Sequence, residues 1–411
     1  MIYYLIGIKG AAMGSLAKIL YQAGHIVKGV DVADDFYTFE NVDGISIENF
    51  SNMKLGKSYF YIIGNAFQNH SVTNYIQNMG YKYLNYPLFL TYYFKNRCWI
   101  CISGTHGKTT TTKMISDLIP NNTSLIGDGS FQIKGKDNFI LEACEYKNTF
   151  LNYHPDIAVI LNVDYDHIDF FKTREDYYNA FVQFSKQSKL CIINGDEFSY
   201  RADHVITFGK KLNNDVVFQY EKGKVTILNK QFYLPIIGEK FAYDFVAAYL
   251  VAKIMNEKDY KIQQNMDGFI MPRRRLEKKE IHSQIVICDY AHHPNEIKTV
   301  FEALKEEYKA KKLICIFEPH TITRLQSFIH EFKTELSKFD CCYLYGLFSS
   351  AREAHNLVLE RKLYKCLGFQ NYDYHTQQQL SKLKDVVICF MGAGTIDSSY
   401  DAYLKLLQNI K

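Results

Sequence analysis

Short apolar runs recur along the whole chain, and most are followed by a segment whose apolar residues lie three and four apart. In the first stretch, Tyr3–Ile8, His25–Val30, Tyr59–Ile63 and Lys82–Leu84 read as strands. Leu16, Ile19, Leu20 and Ala23 share one helical face that Gly24 closes, and Ser71–Met79 fits a second helix. The next stretch gives strands at Trp99–Ile102, Asn138–Glu142 and Ile157–Val163, a helix over Lys108–Leu118, a strand pair near 216–220 and 225–228, and a helix after Pro235. Between them, Thr173 to Asp176 has the form of a capping box and opens a helix with Tyr177, Ala180, Phe181 and Phe184 on its core face. The last stretch repeats the alternation, with strands ending at Asp289, near Phe317 and near Tyr345, and a final strand from Val386. Strands alternating with helices predict parallel sheets covered on both faces. The pattern therefore predicts an α/β protein of three consecutive doubly wound domains: a Rossmann-like domain over 1–96, a P-loop domain over 97–271 and a second Rossmann-like domain over 272–411.

The bulk properties narrow the function. A chain of 411 residues is too long for one core and suits two to four domains. With 47% hydrophobic and 22% charged residues it is an ordinary globular composition. The net charge of +4 is small and dispersed, which gives no argument for nucleic acid. No run approaches a membrane span, and the apolar start at Met1 reads as a first strand rather than an export signal. The ten cysteines show no paired C-x-x-C zinc spacing, and most lie in apolar runs, so reduced thiols and a cytoplasmic location are expected.

The strongest chemical signal is Gly104-Thr105-His106-Gly107-Lys108-Thr109-Thr110, between the strand at Trp99–Ile102 and the helix from Lys108. Two glycines let backbone N–H groups face one point, and the helix adds its positive end there. Lys108 brings a full charge and Thr109 a hydroxyl for a metal ion, which makes a cradle for the phosphates of ATP or GTP. The loop is shorter than the usual Gly-x-x-x-x-Gly-Lys-Thr. Glu142, at the end of its strand, is a candidate to reach a metal ion at this loop, and His167 follows the next strand in Asp164-Tyr-Asp-His-Ile-Asp. A second glycine-rich turn, Gly7-x-x-Gly10-x-x-x-Gly14, opens the first βαβ unit, whose second strand ends at Asp31.

The loop 104–110 resembles the ATP loop of the Mur ligases, the amide ligases that build peptidoglycan, and its His106 is most similar to the alanine-adding branch. The resemblance runs over nearly the whole chain. It implies that Gly7, Gly10, Met13, Gly14 and Asp31 hold a UDP-sugar, and that Thr109, Glu142 and His167 hold Mg2+ around ATP bound by residues 104–110. Pro272-Arg-Arg-Arg-Leu-Glu resembles the family's hinge stretch, with Arg275 placed to act on the transferred phosphoryl group. In Asp289-Tyr290-Ala-His292-His-Pro, the resemblance assigns Asp289 to the ATP ribose and Tyr290 and His292 to the amino-acid side. Arg324 matches the arginine that grips the amino-acid carboxylate, a task suited to its planar fork. Ser349-Ser-Ala-Arg-Glu is similar to a run typical of the alanine-adding branch. Lys240, Phe241 and Asp244 depart from the family's adenine-contacting pattern, and Thr321 stands where many relatives have a second arginine. Gly392-Ala-Gly is a candidate anion turn or simply a chain reversal.

The implied activity joins L-alanine to the lactyl carboxylate of UDP-N-acetylmuramate, with ATP and Mg2+ as cofactors and an acyl phosphate between. Lys108, His167, Arg275, His292 and Arg324 are its expected catalytic residues. Two alternatives stay open: a recycling ligase that adds a tripeptide to the same sugar, and a non-catalytic UDP-sugar or nucleotide binder.

Overall fold

The computed structural model describes residues 1–32, 42–168, 170–348 and 356–409. The Ser349–Glu353 run and Asp169 lie outside the described residues. Met1–Pro235 with Ala242–Phe269 forms one compact unit, and Ile236–Phe241 with Ile270–Lys411 forms a second. Among the described residues the strands form three sheets.

The first sheet has five parallel strands in the order Ser46–Asn49, Ile26–Asp31, Ile2–Ile6, Phe60–Ile63, Tyr83–Asn85. The first strand is central and the chain winds outward on both sides of it, so the turn at Gly7–Gly10 lies at a switch point of strand order. Tyr3 and Leu5 face one apolar cluster, while Tyr4 and Ile6 face another. Burial on both faces explains why this strand reads as a continuous apolar run.

The second sheet has ten strands, with Cys98–Ser103 between Ile157–Ile160 and Asn138–Glu142, all parallel. At one edge Val216–Glu221, Lys224–Ile227 and Lys230–Tyr233 form an antiparallel meander. Its last strand carries no glycine signal: the two-residue turn is Leu228-Asn229, both with positive φ (47° and 59°). Paired left-handed residues give the twist that a tight hairpin needs, and asparagine bears that conformation better than leucine. The first two sheets share one compact unit and one apolar cluster, which contains Tyr3 and Phe89 as well as Trp99 and Phe139. Phe94 stacks on Phe139 at 3.9 Å between ring centroids, and Ser15 donates to the Gly129 carbonyl at 2.7 Å.

The third sheet, in the second unit, runs Glu277–Ile281, Gln284–Asp289, Val386–Gly392, Lys312–Glu318, Cys341–Leu344, Gln370–Asn371. All neighbours are parallel except the first pair. The Gly392-Ala-Gly turn holds an internal carboxylate rather than an open nest. Glu318, buried, accepts from the backbone N–H of Gly394, Thr395 and Ile396 and from the Thr395 hydroxyl, at 2.9 to 3.2 Å. No described helix is long and apolar enough to cross a membrane.

Candidate active site

The site forms where three parallel strands of the second sheet end together. Ser103 is level with Ile160 across one pairing and Ile102 with Glu142 across the other, so the segments after all three strands emerge side by side. The middle one is the glycine loop. Gly104 and Gly107 have φ of +139° and +83°, which a side chain would resist. Space is equally short: a Cβ on Gly107 would lie 2.5 Å from Asp244 Oδ1, and one on Gly104 would lie 3.1 Å from Leu161 Cβ. The departure from the family at Asp244 is thus a buried carboxylate packed against the loop backbone.

The neighbouring segment holds the loop in shape. Asn162, buried at the end of its strand, accepts from the His106 N–H at 2.8 Å and donates to the His106 carbonyl at 3.0 Å. The Thr105 hydroxyl lies 2.8 Å from the Asp164 carbonyl and 2.9 Å from the Asp164 N–H. His106 Nε2 is 3.2 Å from an Asp164 carboxylate oxygen. The loop is therefore pinned by the Asn162 side chain and the Asp164 backbone, 56 and 59 positions further along the chain from their partners.

Lys108 opens the Lys108–Leu118 helix, and its ammonium folds back over the loop. It donates to the carbonyls of Gly104 and Thr105, the latter at 3.0 Å, and lies 3.1 Å from Glu145 Oε2. Burial works against the charged lysine, but Glu145, with Cys144 and Glu142 behind it, prevails and holds its pKa above the ordinary value. Burial likewise opposes the Glu145 carboxylate, and Lys108 and His167 overcome it, so its pKa is held low. The pair is ionised. His167, with φ of +53°, brings Nε2 to 3.4 Å from Glu145, and the Tyr146 ring lies 4.7 Å from the imidazole.

Glu145, which the sequence reading passed over, is thus the carboxylate that faces Lys108. Glu142 still belongs to its strand, opposite Ile102, and accepts from the Gly127 N–H at 2.9 Å. Counting past the strand end in Glu142-Ala-Cys-Glu145 is the only sequence signal for the difference, and it needs the register. Among the described residues no group of three His, Cys, Asp or Glu side chains is arranged to hold a metal ion. Magnesium needs no such group, because it keeps waters and takes one or two carboxylates plus substrate phosphates. A buried, ionised Glu145 beside the phosphate loop suits that role. Thr109 and Thr110, both buried, begin the helix next to it.

In the first sheet, Gly7 has φ of +85° and its Cβ would lie 2.6 Å from the Phe67 ring. Asp31 accepts from the N–H of Lys9 and of Val32, each at 2.8 Å, so it ties the glycine turn to the second strand. Met13 is buried beneath Gly64, and Gly14 donates to the Gly10 carbonyl at 2.7 Å.

In the second unit, Asp289 accepts from the N–H of Leu276 and of Ala291, each at 2.8 Å, and burial raises its pKa to about 6. Two adjacent arginines of the 272–277 stretch differ. Arg274 is buried, donates to the Gly392 carbonyl at 2.7 Å and lies 3.6 Å from Asp397. Arg275 is half-buried, with its guanidinium 5.1 Å from the Tyr290 ring centre. His292 contacts the Tyr290 carbonyl at 2.9 Å and the Glu296 carboxylate at 3.2 Å, and its ring lies 5.5 Å from that of His320. Burial, together with Arg324 and His320, outweighs Glu296 and keeps this imidazole neutral. Arg324 stands on the short helix Ile322–Ser327 that follows Thr321, whose φ of +67° is an outlier for a β-branched residue.

A glycine–lysine loop at the carboxyl end of a parallel sheet, with a buried carboxylate facing the lysine and a histidine against that carboxylate, defines a P-loop enzyme acting on a nucleoside triphosphate. The comparisons with known proteins narrow the class. Residues 2–96 match the Mur ligase family catalytic domain, residues 102–252 the Mur ligase middle domain, and residues 274–394 the Mur ligase glutamate ligase domain. A UDP-N-acetylmuramate–L-alanine ligase of Limosilactobacillus reuteri is 33% identical over 99% of both chains. Among solved structures, a UDP-N-acetylmuramate-alanine ligase from Thermotoga maritima superposes with a TM-score of 0.80, at 20% identity, over 100% of this chain and 99% of that one. A murein peptide ligase from Psychrobacter arcticus gives 0.71 at 18% identity, over 100% and 99%. The chain belongs to the Mur ligase family and is an ATP-dependent amide ligase.

Proposed function

We propose that this ligase joins L-alanine to the lactyl carboxylate of UDP-N-acetylmuramate, in the cytoplasm, as a step of peptidoglycan precursor synthesis. Residues 1–96 take the UDP-sugar, 97–271 the ATP and 272–411 the amino acid. The observation that carries the reading is the ion pair of Lys108 and Glu145 at the glycine loop, in a chain with full-length likeness to an alanine-adding ligase.

The chemistry asks for charge control. The carboxylate of the sugar must attack the γ-phosphorus of ATP, and both carry negative charge. The loop amides and Lys108 supply positive charge at the phosphates, and Arg275 supplies it at the transferred group. Bound magnesium would neutralise further phosphate charge and orient the oxygens, held by Glu145, Thr109 and His167, with Glu142 a more remote candidate. The alanine amine then attacks the acyl phosphate, with Arg324 on the amino-acid carboxylate and the neutral His292 beside it. A neutral imidazole suits this place, since an incoming amine must lose a proton. The Gly7–Gly14 turn and Asp31 serve the sugar nucleotide, Asp289 the ribose, and Tyr290 the amino-acid side.

The test is phosphate release with UDP-N-acetylmuramate and ATP, scanned across free amino acids and the murein tripeptide. Release that responds to L-alanine alone is expected. A response to the tripeptide alone would make this a recycling ligase, and sugar-nucleotide binding with no amine-dependent release would make it a non-catalytic binder.

A further inference from the structure

We propose that Tyr177 is a positioning residue: its phenol orients the Glu145 carboxylate and couples it, through Thr105, to the phosphate loop. This rests on the reading of Glu145 as the carboxylate at the nucleotide phosphates.

The helix Arg174–Lys186 buries one face, and Tyr177 lies on it, 1% exposed. Its ring packs on Phe171 and Phe181, with centroids at 4.9 and 5.2 Å. Phenylalanine would serve that packing equally well, so the hydroxyl needs another reason. It lies 2.9 Å from Thr105 Oγ1 and 3.4 Å from Glu145 Oε1. Burial, and then Glu145, push its pKa well above the ordinary phenol value, so it stays neutral and has one proton to give.

That one proton has two claimants. Thr105 also has one proton, and the Asp164 carbonyl at 2.8 Å takes it, while the Asp164 N–H at 2.9 Å donates back. With its own proton committed, Thr105 can only accept from Tyr177. Glu145 competes as an ionised acceptor, which makes the stronger hydrogen bond. The short contact to Thr105 and the long one to Glu145 describe a phenol poised between the two. Any charge that weakens Glu145 as an acceptor returns the proton to Thr105, the residue between Gly104 and His106. The hydroxyl thereby links the charge on Glu145 to the shape of the loop, and no proton leaves the pair.

The test is a double-mutant cycle on the full chain. ADP binding is measured by calorimetry, with magnesium and with a chelator, for wild type, Tyr177→Phe, Glu145→Gln and the double variant. Tyr177→Phe should weaken magnesium-ADP binding about fivefold, the scale of the lost hydrogen bond to Thr105 in the loaded loop, and leave UDP-sugar binding unchanged. In the Glu145→Gln background the same change should cost about twofold or less. Equal losses in both backgrounds, or no loss in either, would overturn the proposal. Magnesium-ADP binding untouched by Glu145→Gln alone would instead overturn the underlying reading of Glu145. A measurement that keeps the side chain uses 3-fluorotyrosine at position 177: its fluorine resonance should move on adding magnesium to the ADP complex, and a fixed resonance counts against coupling.

Discussion

The structure separates two glutamates three residues apart, and that separation can be measured. Glu145 is 1% exposed and lies 3.1 Å from the Lys108 ammonium and 3.4 Å from His167. At that distance and an effective dielectric near 20, the attraction is about 5 kcal/mol before desolvation is charged against it. Removing one partner of a buried pair typically costs about 3 to 5 kcal/mol, because the other charge is left buried. In Glu145→Gln the lysine keeps the Gly104 and Thr105 carbonyls, so a loss of about 3 kcal/mol is expected. Glu142 accepts a backbone N–H at a more exposed place, and Gln can accept there too, so Glu142→Gln should cost less than about 1 kcal/mol. Trp99, the single tryptophan, is buried in the same compact unit and reports its unfolding in urea by fluorescence. Phosphate release should fall at least about a hundredfold in Glu145→Gln, the scale of a lost electrostatic group. Glu142→Gln should cost less, within about tenfold, as for a more remote magnesium candidate that keeps its hydrogen bond to Gly127. Equal damage from the two variants, or the reverse order, would refute the assignment of Glu145 as the carboxylate that works with Lys108.

Other variants probe the remaining parts. Lys108→Ala should lower phosphate release at least about a hundredfold, and near-normal turnover would remove the loop from the mechanism. Gly107→Ala places a Cβ 2.5 Å from Asp244 Oδ1 and should abolish ADP binding, whereas Gly24→Ala, with a similar φ of +84° and nothing within 4 Å, meets backbone strain alone and should bind ADP normally by calorimetry. Asp289 gives a pH signature. Its folded pKa of about 6 lies above the ordinary 3.8, so between those values the folded protein holds a proton that the unfolded chain has released. Its presence therefore costs stability as pH rises through that window, about 3 kcal/mol in all, and nothing further above it. Scanning calorimetry should show Asp289→Asn gaining on wild type between pH 4 and 6.5, and a difference that does not vary with pH would contradict the buried, destabilised carboxylate.

Local pattern carried much of the site. The strand, the two glycines, Lys108 and the helix after it were legible in sequence because they are consecutive: the apolar period sets the strand, and the positive-φ positions demand glycine. The first βαβ unit, and the long runs of parallel strands in all three sheets, were legible for the same reason. What was not legible was the partnership of distant side chains. The sequence put Glu142 at the metal because it ends an apolar strand; the register sets it opposite Ile102 at that strand's end, and Glu145, three residues on, is the carboxylate that meets Lys108. Tyr177 read as a core aromatic on an amphipathic face, which it is, and nothing local marks its hydroxyl as the neighbour of Thr105 and Glu145.

The amino-acid sequence by itself thus determined the α/β class, the doubly wound pattern and the presence of a phosphate loop, since each follows from the spacing of neighbours along the chain. Only the tertiary structure decided which carboxylate meets Lys108, that Asn162 clamps His106, that Asp244 packs on Gly107, and that Glu318 fills the Gly392 turn. Those contacts depend on strand register and on which strands become neighbours, and the folded core, not the local sequence, sets both.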